Sequence, residues 1–141
     1  MAGFEDRPLR SDCPIAASLD LIGDRWTLLV LRDVLVAERS RFNEFATDEG
    51  IATSTLTDRL DRLVDADLLA RVPDENDGRR VRYLPRPAAL DLIPALVDLM
   101  AWGSTHAGGE RPPFLTDTGA ASRAAAVELL TDQARRRVVD H

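Results

Sequence analysis

The stretch RFNEFATDEGIATSTLTDRLDRLVDADLLARVPDENDGRRVRYL, residues 41–84, decides the fold of this chain. It divides into a short helix, a turn that contains Gly50, a second helix, and a hairpin with Asp77-Gly78 at its tip and three arginines after the tip. This order of elements is typical of a winged helix-turn-helix, in which one helix enters a DNA groove and a basic loop lies on the neighbouring phosphates. The sequence therefore predicts a mainly α-helical fold with a small β-hairpin wing.

The residues before this stretch predict two helices. Pro14 suits a first helical position directly after Cys13, and Gly23 suits the end of that helix. Asp24 should cap a second helix, RWTLLVLRDVLVA, which is apolar around most of its circumference and should therefore be central and buried. Ser40 is the expected cap of the short third helix.

Two further helices are predicted after the hairpin. Pro87 opens a helix of about 20 residues, roughly 30 Å long, with Pro94 expected to kink it. The sequence GGERPPFL, residues 108–115, is typical of a linker. Residues 119–138 then predict a final, Ala-rich helix that ends in three arginines.

The charge of the chain is unevenly distributed. The 141 residues carry a net charge of −6, and all 18 basic residues are Arg. Residues 1–50 hold six Arg against ten acids, whereas residues 51–86 hold seven of each, and the four arginines after Gly78 have no acid among them. A cationic cluster at the wing is therefore expected in spite of the acidic total.

Several other classes of protein are disfavoured by composition. One Cys and two His give no internal disulfide and no structural zinc site of the usual ligand number. The sequence shows neither a nucleophile paired with a base nor a phosphate-binding loop, so it indicates neither an enzyme nor a cofactor. No apolar run reaches the roughly 18 residues of a membrane span, and no cleavable signal is recognised, so a cytoplasmic protein is expected.

The second helix of the opening stretch has two distinct faces. Leu56, Leu60 and Leu63 should point inward. The candidate DNA-contacting residues on the other face and its flanks are Thr53, Ser54, Thr55, Thr57, Asp58, Arg59 and Arg62, and the wing adds Arg79, Arg80 and Arg82.

These candidates would have different roles on DNA. Ser54 and Thr55 can contact phosphate or bases, and the two helix arginines can bind guanine or phosphate. Asp58 can accept from a cytosine amino group or can orient Arg62 four residues later. The alternative, a solvated surface helix on which Asp and Arg pair with one another, stays open.

The combination of CPI, IGDRW, RFNEF and LTDRL, in this order, resembles the HxlR family of bacterial transcription regulators, relatives of the MarR-type winged helix proteins. The similarity extends over residues 13–106, through VRYLP and LIPALVDLMAWGSTH. It implies a homodimer that binds a pseudo-palindromic operator on double-stranded DNA, usually as a repressor, with half-sites roughly 34–36 Å apart. The first and the long fifth helix would form the dimer interface, with candidate residues Ile15, Leu19, Ile93, Val97, Met100 and Trp102.

The resemblance divides the chain into three parts. Residues 1–12 form an N-terminal arm, residues 13–106 form the winged helix-turn-helix domain with its dimerisation helices, and residues 107–141 form a linker and an extra C-terminal helix with no counterpart in the family. Ala52 stands where the family often has Ser, so Thr53 is a candidate cap. The wing exit LPRPAAL also departs from the family pattern.

The resemblance also implies modes of regulation. Some family members use a Cys at the position of Cys13 as a thiol switch, and the helix dipole would favour its thiolate. A structural residue at a helix start is the alternative. Trp26 and Trp102 could line a pocket for a small-molecule effector or could be packing residues. The competing hypothesis for the whole chain is a winged-helix module that binds proteins and not DNA.

Overall fold

The computed structural model of the protein describes residues 8–140. Residues 1–7 of the predicted N-terminal arm, and His141, lie outside the described residues. The helices and strands are α1 (Pro14–Ile22), α2 (Thr27–Leu35), a 3₁₀ turn (Phe42–Glu44), α3 (Thr53–Asp65), β1 (Leu69–Pro73), β2 (Val81–Pro85), α4 (Pro87–Leu90), α5 (Ile93–His106) and α6 (Ala120–Arg135).

The order of these elements confirms a winged helix-turn-helix. The two strands pair antiparallel, with Leu69 opposite Pro85 and Pro73 opposite Val81. The loop between them is closed by the backbone N–H of Asp74, which donates to the carbonyl of Arg80 at 2.9 Å. The predicted hairpin, with Asp77-Gly78 in its loop, is therefore confirmed.

The ends of α1 and the start of α2 follow the sequence prediction. Gly23 donates its N–H to the carbonyl of Leu19 at 2.8 Å and ends α1. A Cβ at this glycine would lie 2.4 Å from that carbonyl oxygen, so no other residue fits without a shift. Asp24 Oδ1 accepts from the N–H groups of Trp26 (2.9 Å) and Thr27 (3.1 Å) and so caps α2.

Helix α2 forms the centre of the core, as its apolar circumference predicted. Its fully buried side chains include Val30, Leu31, Val34 and Leu35. The core also takes in three leucines of α3 and the buried ring of Phe45. The hydrophobic pattern of the sequence therefore located the core correctly.

The predicted capping of the third helix by Ser40 is wrong. This element is only a 3₁₀ turn, and the carboxylate of Glu44 caps it by accepting from the N–H groups of Arg41 (2.9 Å) and Ser40 (3.3 Å). Burial alone would raise the pKa of Glu44, but these two backbone donors and nearby arginines hold it below its ordinary value. The Ser40 hydroxyl serves the wing instead, as described below.

The predicted helix of about 20 residues is broken into α4 and α5. The break is a turn at Asp91–Leu92, just before Pro94, which lies in the first turn of α5. Proline has no N–H to donate to the carbonyl four residues earlier, and its ring clashes there, so the helix cannot run through. The expected kink is thus a complete interruption.

By length and composition alone, the stretch Pro87–His106 could cross a membrane, contrary to the prediction that no run is long enough. In the structure Ile93, Leu96, Val97 and Ala101 are buried in the protein core. The stretch also carries Asp91 and Asp98. We therefore assign the buried faces of α4 and α5 to the core of the domain.

Two of the proposed dimer contacts are corrected by this packing. Ile93 and Val97 are completely buried within their own chain, so neither can reach a second subunit. Met100 packs partly against the same core. Ile15 (70% exposed), Leu19 (52%) and Trp102 (61%) are on the surface, and Leu99 (51%) joins them as an exposed apolar residue that the sequence prediction omitted.

The segment after residue 106 is part of the same domain. Leu115, Ala126, Leu130 and Ala134 are buried in the core cluster that contains α2 and α5. Helix α6 lies mainly along α5 and also touches α2 and α4. Residues 107–140 are therefore not a loosely attached tail.

Candidate nucleic-acid interface

Helix α3 begins at Thr53 with an open N-terminus. Its N-cap residue is Ala52, and no side chain caps the helix. The expectation that Thr53 is the cap is wrong, because Thr53 already has a helical position and its carbonyl accepts from the Thr57 hydroxyl at 2.9 Å. The first N–H groups of α3 thus lack a side-chain acceptor, which is the arrangement that receives a phosphate oxygen well.

The two faces of α3 are as predicted. Leu56, Leu60 and Leu63 are buried, and the opposite face is exposed from Ser54 through Asp58 to Arg62. The exposed candidates therefore share one side of the helix, with Thr55 half-buried at its edge. Asp58 and Arg62 are 4.0 Å apart, a loose pair that leaves Arg62 exposed.

Arg59 occupies a different position from the one expected of a base-reading residue. Its Nε donates to Asp24 Oδ1 at 2.9 Å, and its Nη1 donates to Asp58 Oδ2 at 2.5 Å. Its side chain is only 20% exposed. Arg59 thus ties α3 to the N-terminal cap of α2, which is a structural role that spacing along one helix could not reveal.

Asp24 is the acceptor at the centre of this arrangement. Partial burial alone would raise the pKa of Asp24. Hydrogen bonds from the Thr27 hydroxyl, from Arg59 and from the N–H groups of Trp26 and Thr27 outweigh burial and hold the pKa far below its ordinary value. Asp24 is therefore ionised at neutral pH. The neighbouring Arg25 does not pair with it and lies over the Trp26 ring at 5.3 Å.

The wing arginines fall into two groups. Arg79 (94% exposed) and Arg80 (69%) extend into solvent, where Asp77 lies 3.4 and 3.9 Å from them. Arg82 instead donates from Nε to the Ser40 hydroxyl at 3.0 Å. The acid-free cluster expected from the sequence is therefore partly neutralised, because the turn brings Asp77 back against the arginines that follow it.

Arg86, the fourth arginine of that expected cluster, lies elsewhere. It pairs with Asp67 at 2.9 Å and donates to the carbonyl of Val139 at 3.2 Å. These contacts attach the exit of the wing to the end of the chain. Arg86 is therefore not part of the surface presented by the wing tip.

A groove between the 3₁₀ turn and the wing contains residues that the sequence analysis missed. It has a volume of about 440 Å³ and is lined by Arg41, Phe42, Asn43, Arg79, Arg80 and Val81. Arg41 is exposed and its guanidinium lies 3.0 Å from Asp74. We call this feature the loop–wing groove. The signal was present in the motif RFNEF, whose first residue was taken only as part of a helix.

A buried carboxylate fixes the turn before α3. Asp33 is 1% exposed and pairs with Arg32 at 2.9 Å. Its Oδ2 accepts from the N–H of Ala46 at 2.7 Å. Ala46 has a φ of 47°, which lies in the left-handed region that residues other than glycine rarely adopt. The hydrogen bond to Asp33 helps to hold the backbone of Ala46 in this conformation. Asp33 therefore attaches the residue after the 3₁₀ turn and Phe45 to the central helix α2.

The candidates for regulation are separated from one another. Cys13 is an exposed free thiol in the N-cap position of α1. Trp102 is exposed beside His106 on α5, with ring centroids 5.3 Å apart. An apolar groove of about 370 Å³ lies between α1 and α4, lined by Leu9, Ala17, Ser18, Leu21, Ile22, Leu68, Ala88, Asp91 and Leu92. Neither Trp26 nor Trp102 lines this groove.

The presence of a metal site can be judged for residues 8–140. In that part of the chain, no group of three or more His, Cys, Asp or Glu side chains is placed to hold a metal ion.

Comparison with known proteins identifies the family of this fold. The sequence model described as HxlR-like helix-turn-helix matches residues 21–111. The chain belongs to this HxlR-like family. A Mycobacterium tuberculosis relative, named as an uncharacterized HTH-type transcriptional regulator, is 41% identical over 92 residues, which are 65% of this chain and 58% of the relative. The chain therefore matches a little over half the length of the mycobacterial relative.

Two other similarities agree with this assignment. A Synechocystis protein, also named as an uncharacterized HTH-type transcriptional regulator, is 29% identical over 92 residues, covering 65% of this chain and 68% of that protein. The crystal structure of PA1607, a candidate transcription factor, superposes with a TM-score of 0.63 at 35% identity, covering 69% of this chain and 67% of that chain. The match to PA1607 is consistent with the winged helix-turn-helix fold.

Proposed function

We propose that this protein is a DNA-binding transcription regulator of the cytoplasm that acts as a homodimer on a pseudo-palindromic operator, as a repressor. The observation that carries the proposal is the surface formed by α3 and the loop–wing groove. An open helix N-terminus with exposed Ser54 stands on the same domain as a groove edged by Arg41, Arg79 and Arg80. Both features can bind phosphate. The helix N-terminus offers backbone N–H groups, and the groove offers guanidinium groups.

The two halves of this surface would have different tasks. Arg62 and Ser54 lie on the exposed face of α3, which would enter the major groove and read base edges. Arg41, Arg79 and Arg80 would contact the adjacent backbone and fix the register without reading sequence. Arg82 and Arg59, which have internal partners, would support the surface and not touch DNA.

Selection of operator fragments is the direct test of this function. Sheared genomic DNA is passed over the immobilised full chain at about 0.15 M salt, where weak nonspecific contacts are screened. We expect a few fragments with inverted repeats to be retained. Retention of nothing, from protein shown to be folded under reducing and oxidising conditions, would refute DNA binding.

Variants of the two halves test the division of tasks. Arg80→Ala should weaken binding to all sequences and lower the salt dependence of log K, by about 0.9 for each lost phosphate contact. Arg62→Ala should instead reduce the preference for operator over random DNA, by about 1–3 kcal/mol. Arg123→Ala, which removes the same charge from α6 where Arg123 pairs with Asp98, is the matched control. Equal effects of the first two variants on operator and random DNA would contradict these roles.

The dimer would be formed through the exposed apolar residues of α1 and α5. Ile15 and Leu19 of α1, and Leu99 and Trp102 of α5, are uncovered in the single chain. A second copy of the chain is the occupant we propose, since operators with two-fold symmetry are bound by two-fold symmetric proteins. Sedimentation at several concentrations should give twice the mass of the chain. A monomer at micromolar concentration would refute this part of the proposal.

Two regulatory inputs are proposed on separate features. An apolar small molecule would bind in the groove between α1 and α4, whose volume of about 370 Å³ lies in the range of ligand sites. Ala17→Phe should fill this groove, and loss of any effector response with DNA binding retained would support the assignment.

Cys13 would form an intersubunit or mixed disulfide on oxidation. Cys13→Ser should then abolish the response of operator binding to diamide, and an unchanged response would exclude the thiol switch.

A protein-binding module without DNA affinity is the second candidate function. Its support is the exposed Asp58, Asp61 and Asp65 on α3, together with the net charge of −6. Asp61 is paired with Arg71 at 2.6 Å and so repels phosphate less than a free carboxylate would. A folded dimer that retains no DNA at low or moderate salt would favour this alternative.

A further inference from the structure

The C-terminal segment, residues 112–140, lies beyond the part of the chain that matches the family. It nevertheless contacts the segment that leads to Arg41, on one side of the loop–wing groove, and the far end of β2, the strand whose first residue, Val81, lines the other side. One contact is with the residues that follow α2, and the other is with the end of β2. These two contacts connect a segment outside the family domain to the surface that would bind DNA.

The first contact is made by Arg137. Its Nη1 donates to the carbonyl of Val34 at 2.6 Å, and its Nη2 donates to the carbonyl of Arg39 at 3.1 Å. Val34 lies in the last turn of α2, where carbonyl groups have no intrahelical partner. Arg137 therefore supplies both a donor and a positive charge at the C-terminal end of the central helix.

The residues between these two carbonyls lead directly to the groove. We call residues 36–41 the α2 exit loop. The carbonyl of Ser40 accepts from the N–H of Tyr83 in β2 at 2.7 Å, and its hydroxyl accepts from Arg82. The next residue is Arg41, which lines the groove opposite the wing arginines. Arg137 thus holds the carbonyl two residues before Arg41.

The second contact joins the chain end to the wing. The N–H of Val139 donates to the carbonyl of Pro85, the last residue of β2, at 2.9 Å. The carbonyl of Val139 accepts from Arg86 Nη1 at 3.2 Å. The residues just after α6 are therefore attached to the exit of the wing, at the end of β2 away from the groove.

The chemistry of Arg137 suits this position. Burial lowers the pKa of its guanidinium, Glu38 and Glu44 nearby raise it, and Arg82 lowers it. An arginine keeps its charge under all of these influences. Its planar group can serve two carbonyls on different segments at once, which a shorter or single-donor side chain cannot.

We propose that Arg137 is a positioning residue for the DNA interface. By joining the end of α2 to the α2 exit loop, it sets the distance between Arg41 and the wing arginines. Operator affinity would then depend on a segment that the shared family domain does not include. The proposal rests on the DNA-binding function proposed above.

The experiment compares Arg137→Gln with Arg136→Gln in the full-length protein. Arg136 is the adjacent exposed arginine, so the control loses the same charge one residue away. Amide hydrogen exchange of residues 39–41 is measured in the free protein. Operator affinity is measured by fluorescence anisotropy over a range of salt. Leu130→Val, a core change in α6, shows the effect of a general loss of stability.

We expect Arg137→Gln to weaken operator binding on the order of tenfold, a size typical of coupling through positioning residues. Exchange at residues 39–41 should become faster, and the salt slope should stay unchanged because no phosphate contact is lost. Arg136→Gln and Leu130→Val should change neither affinity nor local exchange at these amides beyond the global effect.

Three results would overturn the proposal. The first is Arg137→Gln with normal affinity and exchange. The second is a salt slope lowered by about 0.9 per contact, since Arg137 would then touch phosphate itself. The third result applies if Arg137→Gln does not fold. Arg137→Lys then replaces it, because lysine keeps the charge but has a single donor group. Normal operator affinity and normal amide exchange of Arg137→Lys would overturn the proposal. If the unaltered protein binds no DNA, the proposed function fails, while the exchange data still decide whether Arg137 orders the loop.

Discussion

Replacement of Arg59 by Ala should lower the stability of the protein and leave its contacts with DNA unchanged. From its position on α3, Arg59 would be expected to touch bases or phosphate. In the structure its Nε donates to Asp24 Oδ1 at 2.9 Å, across the interface between α3 and the start of α2. The two side chains are only 20% and 22% exposed. Its loss should therefore be felt in folding.

The size of the loss follows from the burial of the pair. Fully exposed ion pairs contribute about 0–1 kcal/mol, and breaking a buried pair costs about 3–5 kcal/mol. Asp24 would keep its hydrogen bonds from Trp26 and Thr27, so the remaining carboxylate is still satisfied. After allowance for solvent screening, we expect Arg59→Ala to lower the free energy of unfolding by about 1–1.5 kcal/mol.

Urea unfolding at one fixed protein concentration measures this change, because a dimer unfolds in a concentration-dependent way. Arg62→Ala is the matched control on the same helix. Arg62 is exposed and only 4.0 Å from Asp58, so its loss should cost at most about 0.5 kcal/mol. The salt dependence of operator binding is then compared between the two variants.

One result would refute the reasoning. If Arg59→Ala is as stable as the unaltered protein and its salt slope falls by about 0.9 for each contact, then Arg59 leaves Asp24 and binds phosphate. In that case the ion pair with Asp24 would be a resting arrangement of the free protein. The expected result is the reverse, a loss of stability with an unchanged slope.

Three further predictions concern charge, core and assembly. Asp24→Asn should destabilise the protein most near neutral pH and progressively less below about pH 4. The pKa of Asp24 is lower in the folded protein than in the unfolded chain, so the stabilisation by its carboxylate disappears as the carboxylate is protonated. Urea unfolding at several pH values would show this trend, and a loss of stability that does not depend on pH would contradict it. Leu130→Ala should cost about 2–5 kcal/mol in the same assay, since α6 shares the main core, whereas a loss below about 0.5 kcal/mol would mean that α6 is peripheral. Leu99→Asp should shift the sedimenting species to monomer with unchanged helix content, and an intact dimer would exclude this part of α5 from the interface.

Local rules recovered most of the fold because the fold depends on local features here. Gly23 ends α1, Asp24 caps α2, and Asp77-Gly78 forms the wing turn, each through contacts within a few residues. The partners of Ser40 and Arg59 were missed for one physical reason. Both side chains bind groups more than 30 residues away, Arg82 and Asp24 respectively, and spacing within one helix carries no information about such partners.

The candidate site was predictable to a smaller extent than the fold. The exposed face of α3 could be read from the leucine spacing, but the contribution of Arg41 depends on how the 3₁₀ turn faces the wing. The position of Ile93 was misjudged for a related reason. An apolar stripe on a helix predicts burial, and it does not say whether the chain's own core or a second subunit covers the stripe.

The acidic total of the chain is compatible with the proposed surface because many acids are paired away from it. Asp33 is buried with Arg32, Asp67 pairs with Arg86, and Asp98 pairs with Arg123. Arg79 and Arg80 extend into solvent, and their acidic neighbour Asp77 is 3.4 Å or more away. Exposed pairs at such distances hold little energy, so phosphate can displace Asp77 at small cost. The net charge of −6 should therefore slow the approach to DNA at low salt, because the association rate depends on the electrostatic field of the whole protein. It should not prevent the bound contacts, because those depend on the arginines that line the groove.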